Sequence, residues 1–115
     1  MKRAFSVVAT VATLFAAGTA AATEHTILIL EDAYFPQVTY LNRGDTVRFV
    51  NASGLPHNII AKNDSWEIGP IPEEGEMTLL VDDGVQKTFY SKDSEAEDGT
   101  FGVEGRMSYS DAPLN

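Results

Sequence analysis

The chain has 115 residues, 43% of them hydrophobic, with 8 basic and 17 acidic side chains and no cysteine. This length and composition predict one small globular domain and leave no room for two full-size domains. The lack of cysteine excludes disulfides, thiolate metal ligands and cysteine nucleophiles, and a formal net charge of −9 argues against nucleic-acid binding, which needs lysine and arginine to neutralise phosphates.

The first 22 residues are predicted to form a secretory signal peptide. Two basic residues precede an apolar, alanine-rich run over residues 4–17, and small residues lead up to Ala22. The run is roughly 15 residues long, shorter than the ~20 that a membrane-spanning helix needs. Cleavage after Ala22 would leave one domain, residues 23–115, that is periplasmic or secreted and has no membrane span.

Beyond the signal peptide, apolar residues recur with a period of 2 rather than 3.6, which is typical of β-strands. In chain order the predicted strands are residues 26–30, 38–40, 46–50, 57–61, 77–81, 87–90 and 106–109. We interpret the proline-rich connection that follows Trp66 as a loop. The pattern predicts an all-β fold, an antiparallel β-sandwich or barrel whose inward-facing residues form the core.

Several segments reproduce, in order and spacing, the first half of a known group of small β-proteins. They are Phe35-Pro36, the run from Gly44 to Asn51, Pro56-His57-Asn58-Ile59, the run from Gly75 to Leu79 and the run from Gly84 to Tyr90. These segments resemble the cupredoxin family, which includes plastocyanin, amicyanin and pseudoazurin. The resemblance covers residues 25–91 well and 100–110 weakly. It implies a Greek-key β-sandwich that in its usual members holds one copper ion for single-electron transfer.

The copper site implied by this resemblance is largely missing. It needs two imidazoles, one thiolate and a weak axial methionine. The resemblance places His57 on the first histidine, Ser91 on the cysteine and Val103 on the methionine, so that Met107 becomes a core residue of the last strand. A serine hydroxyl stays protonated and cannot replace the soft, anionic thiolate. We therefore expect the cupredoxin fold without its blue-copper centre and without any cofactor.

The two histidines leave an atypical copper site as the alternative. His57 is interpreted as a solvent-edge or hydrogen-bonded structural residue, with metal binding as the other interpretation. Cleavage after Ala22 would expose the N-terminal sequence Thr23-Glu24-His25, whose amine, two amides and imidazole can surround Cu(II) or Ni(II) in a square plane. A cleavage shift of one residue would destroy this spacing, and His25 would then merely open the first strand.

The remaining candidate residues concern a protein partner. The segment from Asp93 to Gly99 partly imitates a calcium loop, but it lacks the required glycine, and we interpret it as a solvated acidic loop. Its side chains Asp93, Glu95, Glu97 and Asp98 are expected to attract a partner with a basic surface. Trp66 is interpreted as packing over one end of the sandwich or, alternatively, as an exposed docking patch next to His57.

Catalysis is not expected, because two histidines offer little choice of general base. Two function classes remain open. The first is an exported, non-enzymatic module that contacts a protein partner through its acidic surface and the loops around His57 and Trp66. The second is a periplasmic copper-binding or electron-transfer protein that uses His25 or His57.

Overall fold

The computed structural model describes residues 22–113, which form nine β-strands. The strands are β1 (Glu24–Ile29), β2 (Tyr34–Phe35), β3 (Val38–Tyr40), β4 (Thr46–Asn51), β5 (His57–Ala61), β6 (Glu67–Ile71), β7 (Glu76–Leu80), β8 (Thr88–Ser91) and β9 (Glu104–Ser108). A short 3₁₀ helix, Lys92–Ser94, follows β8. No helix within residues 22–113 is long and apolar enough to cross a membrane. Apart from Ala22, the predicted signal peptide lies outside the described residues.

The strands form two sheets that pack face to face. One sheet has the order β2-β1-β4-β7, and the other has the order β3-β9-β8-β5-β6. Most neighbours are antiparallel, but β1 with β4 and β3 with β9 are parallel, because the chain crosses between the sheets instead of joining these strands by hairpins. The predicted all-β Greek-key sandwich is confirmed, with the correction that both sheets are mixed.

The core is formed by the alternation that the sequence shows. In β4, Val47, Phe49 and Asn51 are buried while the residues between them are half-exposed. β1 follows the same rule with Ile27 on the inner face. Met107 is 2% exposed in β9, so its predicted place in the core is confirmed. Burying each large apolar side chain contributes about 1.5–3 kcal/mol, so the two inner faces hold the sandwich together.

The predicted loop after Trp66 is wrong, because residues 67–71 form β6 and pair with β5. β6 is an edge strand, so Pro70 can lack an N–H group without breaking a central ladder. Gly69 has a φ of +127°, and a Cβ atom there would lie 2.9 Å from the His57 carbonyl oxygen. Only glycine therefore lets β6 come this close to β5. Gly69 and Pro70 do not produce the alternation of apolar and polar residues from which the other strands were predicted.

Strand register places four connections at one end of the sandwich. Ile29 and Asn51 are the last residues of β1 and β4, and they pair with each other. The chain therefore leaves both strands at the same end of the sandwich. β7 begins beside the end of β4, and β8 ends near the start of β5. The Asn51 side chain donates to the Ile71 carbonyl oxygen at 2.9 Å and so joins the two sheets at this end. We call this end of the sandwich the His57 end. Its four connections are residues 30–33, 52–56, 72–75 and 92–103.

Candidate functional site

A group of three polar side chains lies at the His57 end, where the family resemblance places the copper ligands. His57 begins β5, and its imidazole is 4% exposed. Its Nδ1 atom lies 3.1 Å from one oxygen of Asp93 and 3.2 Å from the other. The Ser91 hydroxyl donates to the same carboxylate at 2.8 Å. We call Ser91, Asp93 and His57 the polar cluster.

The pairing of β5 with β8 builds this cluster. Ile59 pairs with Ser91, and His57, two residues before Ile59, lies on the same face of the sheet. The 3₁₀ helix after β8 then brings Asp93 against the imidazole. Val103 lies next to Ser91, because the Ser91 amide donates to the Val103 carbonyl oxygen at 3.0 Å. The structure thus brings together all three positions that the resemblance assigned to copper ligands.

His57 is not a solvent-edge residue, so that interpretation is wrong. β6 pairs beside it, with Ile71 as its partner across the ladder, and Asp93 covers its Nδ1 atom. Of the two structural interpretations, only that of a hydrogen-bonded histidine matches its surroundings. The alternation of β5 places His57 on the buried face, because His57, Ile59 and Ala61 all point inward.

The electrostatics of the cluster favour a carboxylate at Asp93. Partial burial raises the pKa of Asp93, but hydrogen bonds from Ser91 and His57 outweigh burial and lower the pKa below its usual value. Burial raises the pKa of Tyr34 far above its usual value, so its hydroxyl stays protonated beside Ser91 and Asp93. The Tyr34 hydroxyl and the His57 Nε2 atom have no hydrogen-bond partner among the described residues.

The polar cluster does not fit a type 1 copper ion. The Ser91 hydroxyl is a hard, protonated donor, and its proton points to Asp93. The His57 Nδ1 atom is already paired with Asp93, and Val103 carries no donor atom in its side chain. Within residues 22–113, no three histidine, cysteine or acidic side chains lie close enough to hold a metal ion. Two imidazoles and a thiolate cannot be assembled from this chain.

His25 lies at the opposite end of the sandwich, in β1. Its Nε2 atom is 2.9 Å from one oxygen of Asp45, and the Thr23 amide donates to the other oxygen at 2.9 Å. Hydrogen bonds from the Thr23 and Asn42 amides and from His25 lower the pKa of Asp45 to about 2. β1 is extended and pairs with β4 from Glu24 onward, so its backbone does not curl into the square plane proposed for Cu(II).

The predicted partner residues fall into two separate places. Trp66 follows the β5–β6 turn and lies near Ala61, at the far end of β5 from His57. Its indole N–H donates to the Gln86 carbonyl oxygen at 3.0 Å, and its ring lies 6.2 Å from that of Phe89. An aromatic patch next to His57 is therefore not formed, because the antiparallel hairpin separates the two residues.

The acidic loop does lie at the His57 end. Asp93 pairs with His57 and is still 57% exposed, and Glu95, Glu97 and Asp98 are exposed as well. The loop is ordered by its own hydrogen bonds, since the Ser94 hydroxyl donates to the Ser91 carbonyl oxygen at 2.6 Å. All four predicted carboxylates thus lie on the surface of this loop, and Asp93 also belongs to the polar cluster.

One residue that supports the site went unnoticed in the sequence. Asn51 is 1% exposed, and its side-chain amide donates to the carbonyl oxygens of Leu55 at 2.7 Å and Ile71 at 2.9 Å. Its side-chain oxygen accepts the Ser53 amide at 2.9 Å. Asn51 therefore holds the connection that leads into His57. An asparagine two residues before serine at a strand end is a turn signal that could have identified it.

Several solved structures resemble this chain. No protein-family model and no curated protein matches it. It is similar to an oxidised methionine-to-leucine mutant of amicyanin, with a TM-score of 0.59 and 15% identity over 73% of this chain and 79% of that one. A reduced, copper(I) proline-to-glycine mutant of amicyanin gives a TM-score of 0.58 and 15% identity over 81% and 86%.

A pseudoazurin from Sinorhizobium meliloti is also similar, with a TM-score of 0.53 and 19% identity over 75% of this chain and 72% of that one. Identities this low establish the fold rather than the activity. The order of the two sheets and these three neighbours agree with the resemblance seen in the sequence. The chain therefore has the cupredoxin fold.

Proposed function

We propose that this chain is an exported, non-enzymatic docking module with a cupredoxin fold, in which the polar cluster stands where relatives bind copper. The observation that carries the proposal is the sharing of one carboxylate: Asp93 accepts the Ser91 hydroxyl and pairs with His57 Nδ1. The Ser91 hydroxyl, the His57 Nδ1 atom and the Asp93 carboxylate are engaged with one another, and the soft thiolate is absent. One-electron transfer by a type 1 copper site has no support in this arrangement.

The same cluster argues against hydrolytic catalysis. A serine nucleophile needs a base that accepts its proton, and that base is normally a histidine. Here the Ser91 hydroxyl donates to Asp93, and His57 contacts only the carboxylate through Nδ1. Serine, histidine and aspartate are therefore close together but connected in the wrong order for a catalytic triad.

Charge at the His57 end supports a docking role. Its exposed carboxylates are Glu31, Asp32, Glu73, Glu74, Asp93, Glu95, Glu97 and Asp98. The only basic residue in the four connections is Lys92, and its ammonium group lies 3.1 Å from Glu67. Carboxylates that are far apart in sequence thus share one surface. Such a surface attracts a basic partner at long range and does so less at high salt.

An exposed apolar side chain lies within this acidic surface. Leu55 is 55% exposed and sits in the connection between β4 and β5. Its carbonyl oxygen accepts hydrogen bonds from Asn51 at 2.7 Å and from Ser53 at 3.0 Å, which hold the loop in place. An apolar centre with a charged rim is the usual make-up of a protein interface. The partner would carry an apolar pocket surrounded by lysine or arginine.

Site-specific photo-crosslinking in the native host tests this role. The reactive residue replaces Leu55 in one variant and Leu80 in the control, which is 56% exposed but lies in β7 at the opposite end, beside Thr46. We expect one discrete crosslinked partner from position 55 only. Its yield should fall at high salt and after charge reversal of Glu95 and Glu97. Equal crosslinking yields from both positions, or a yield that does not change with salt concentration, would contradict the proposed docking surface.

One observation favours a metal-binding protein as the second candidate. The His57 Nε2 atom is buried and lacks a hydrogen-bond partner within residues 22–113. Titration of the processed protein with Cu(II) separates the candidates. A weak d–d band at one equivalent, lost in His57→Ala, would favour a site at His57, and the same band lost in His25→Ala would favour the N-terminus. The docking proposal expects neither band.

A further inference from the structure

A buried carboxylate at the end opposite His57 collects donors from the start of the chain. Asp45 is 4% exposed and precedes β4. One oxygen accepts the Thr23 amide at 2.9 Å, and the other accepts the Asn42 amide at 3.0 Å and contacts His25 Nε2 at 2.9 Å. The Thr46 amide donates to the Thr23 carbonyl oxygen at 3.0 Å, so the backbone at Thr23 is held on both sides.

The sequence separately predicts a cut at this position. The small residues before Thr23 form a signal-peptidase pattern, and cleavage after Ala22 would make Thr23 the first residue. The nitrogen that cleavage would expose is the same atom that already contacts Asp45. Two independent observations, one from sequence and one from geometry, thus meet at the Thr23 nitrogen.

We infer that Asp45 is the binding site for the new N-terminal ammonium group of the processed chain. Water adds across the Ala22–Thr23 peptide bond in a reaction catalysed by a leader peptidase: the carboxylate stays on Ala22 and the protonated amine on Thr23. This inference rests on the export part of the proposed function. It adds that Asp45 of the folded domain binds the N-terminus that cleavage creates.

The change in chemistry at Thr23 is large. Before cleavage its nitrogen is a neutral amide with one hydrogen to donate, whereas afterwards it is a cation with three. The amide already donates to an ionised carboxylate, so cleavage adds two further N–H donors and the direct attraction between two opposite charges. This attraction is stronger where the carboxylate is shielded from water. The processed domain is therefore more stable than the precursor, because the ion pair between Thr23 and Asp45 holds the start of β1 against the start of β4.

The surroundings have space for the charged group. Thr23, His25 and Asp45 border a cleft of about 180 Å³ that also reaches Tyr40, Tyr109 and Asp111. His25, Asp45, Tyr40, Tyr109 and Asp111 are the titratable side chains that line it. Two carboxylates line this cleft, while Arg43 and Lys87 lie over the ring of its lining residue Tyr109, 4.9 and 4.3 Å from the ring centroid. The ammonium group is therefore held by its direct contact with Asp45 rather than by the net charge of the cleft. Pairing with Asp45 also withdraws the amine and His25 from the square-planar copper arrangement.

The test uses the full chain, expressed with its leader in an exporting host and purified from the export compartment. Mass spectrometry gives the first residue, which we expect to be Thr23. NMR titration of the labelled protein then gives the pKa of the N-terminal amine. We expect it to lie about one unit above its usual ~7.7–8.0. Asp45→Asn should return it to the usual range, while Asp83→Asn, an exposed aspartate paired with Arg43, should not.

A second variant keeps the test decisive if Asp45→Asn fails to fold. Moving the cut one residue upstream leaves Ala22 in place and carries the amine away from Asp45. The unfolding equilibrium constant in urea should then rise roughly tenfold, which corresponds to one pKa unit of lost interaction. A normal amine pKa in the folded protein would overturn the inference.

The two proposals fail in different ways. An exported protein that begins at another residue contradicts only the ammonium site. A chain that is not exported and not cleaved contradicts the export proposal as well.

Discussion

Gly105 lies opposite Phe89 in the β8–β9 ladder, and a Cβ atom on Gly105 would come within 2.5 Å of the Phe89 ring. The ring meets Tyr34 and Phe49 edge to face, with centroid distances of 4.9 and 5.4 Å. Because Gly105 has no side chain, the Phe89 ring can occupy the centre of the core. The β8–β9 connection that carries Asp93 over His57 begins three residues after Phe89.

Gly105→Ala should destabilise the domain by about 1–3 kcal/mol, because the added methyl group overpacks the core against a ring that has no space to move. Urea unfolding followed by tryptophan fluorescence measures the change. Gly102→Ala is the matched control, since its Cβ would meet nothing nearer than 3.9 Å. Equal losses from both substitutions would contradict the close contact.

Phe49→Ala should lower the free energy of unfolding by about 3–5 kcal/mol, because the side chain is fully buried and its removal leaves a cavity. Phe35→Ala removes the same atoms from a residue that is 64% exposed and should change stability by about 0.5 kcal/mol or less. Chemical denaturation of both variants gives the comparison. Similar costs would mean that β4 does not face the core as described.

His57→Ala should cost about 2 kcal/mol or more, because truncating this buried side chain opens a cavity. A cost of at most about 1 kcal/mol would apply to an exposed edge residue, whereas His57 is buried. Lys92→Ala, which removes only an exposed ion pair with Glu67, is the control. A cost near zero for His57→Ala would show that the imidazole is not packed in solution.

Ser91→Cys should not create a blue-copper site. The substitution supplies a thiolate beside His57, but the chain has no second imidazole near it and Val103 replaces the axial methionine. Visible absorption of the variant with Cu(II) should show no intense charge-transfer band, as in the unsubstituted protein. The appearance of such a band would reveal a ligand that the described residues do not show.

Acid should weaken the domain through Asp45. Its pKa falls from 3.8 to about 2 on folding, because the Thr23 and Asn42 amides and His25 stabilise the carboxylate. A lowered pKa stabilises the fold above the unfolded value and loses that contribution as pH falls through the folded value. We therefore expect stability to decline between about pH 4 and pH 2, and less steeply in Asp45→Asn.

Unfolding curves at several pH values test this decline. Asp83→Asn is the control, since Asp83 is exposed and pairs only with Arg43. The control should follow the unsubstituted protein. An Asp45→Asn variant that loses stability just as steeply would rule out Asp45 as the group responsible.

Local sequence determined much of the fold. The period-2 pattern of residues 46–50 and 57–61 predicts β4 and β5 because alternate side chains of a strand point to opposite faces, and that property needs no distant partner. The absence of cysteine is equally local, and it excludes the blue-copper centre in any fold. β6 escaped prediction because Gly69 and Pro70 suit an edge strand only when β5 lies beside them.

Tertiary structure decided the site. Whether His57 is buried, whether Asp93 faces it, and whether Trp66 lies near it depend on strand pairing between residues that are far apart in the chain. The same pairing gathers carboxylates from separate connections at one end, and it brings Thr23 to Asp45 at the other. Sequence alone determined which atoms are available for chemistry; only the pairing of the strands decided which of those atoms meet, because hydrogen bonds and burial depend on distances in space.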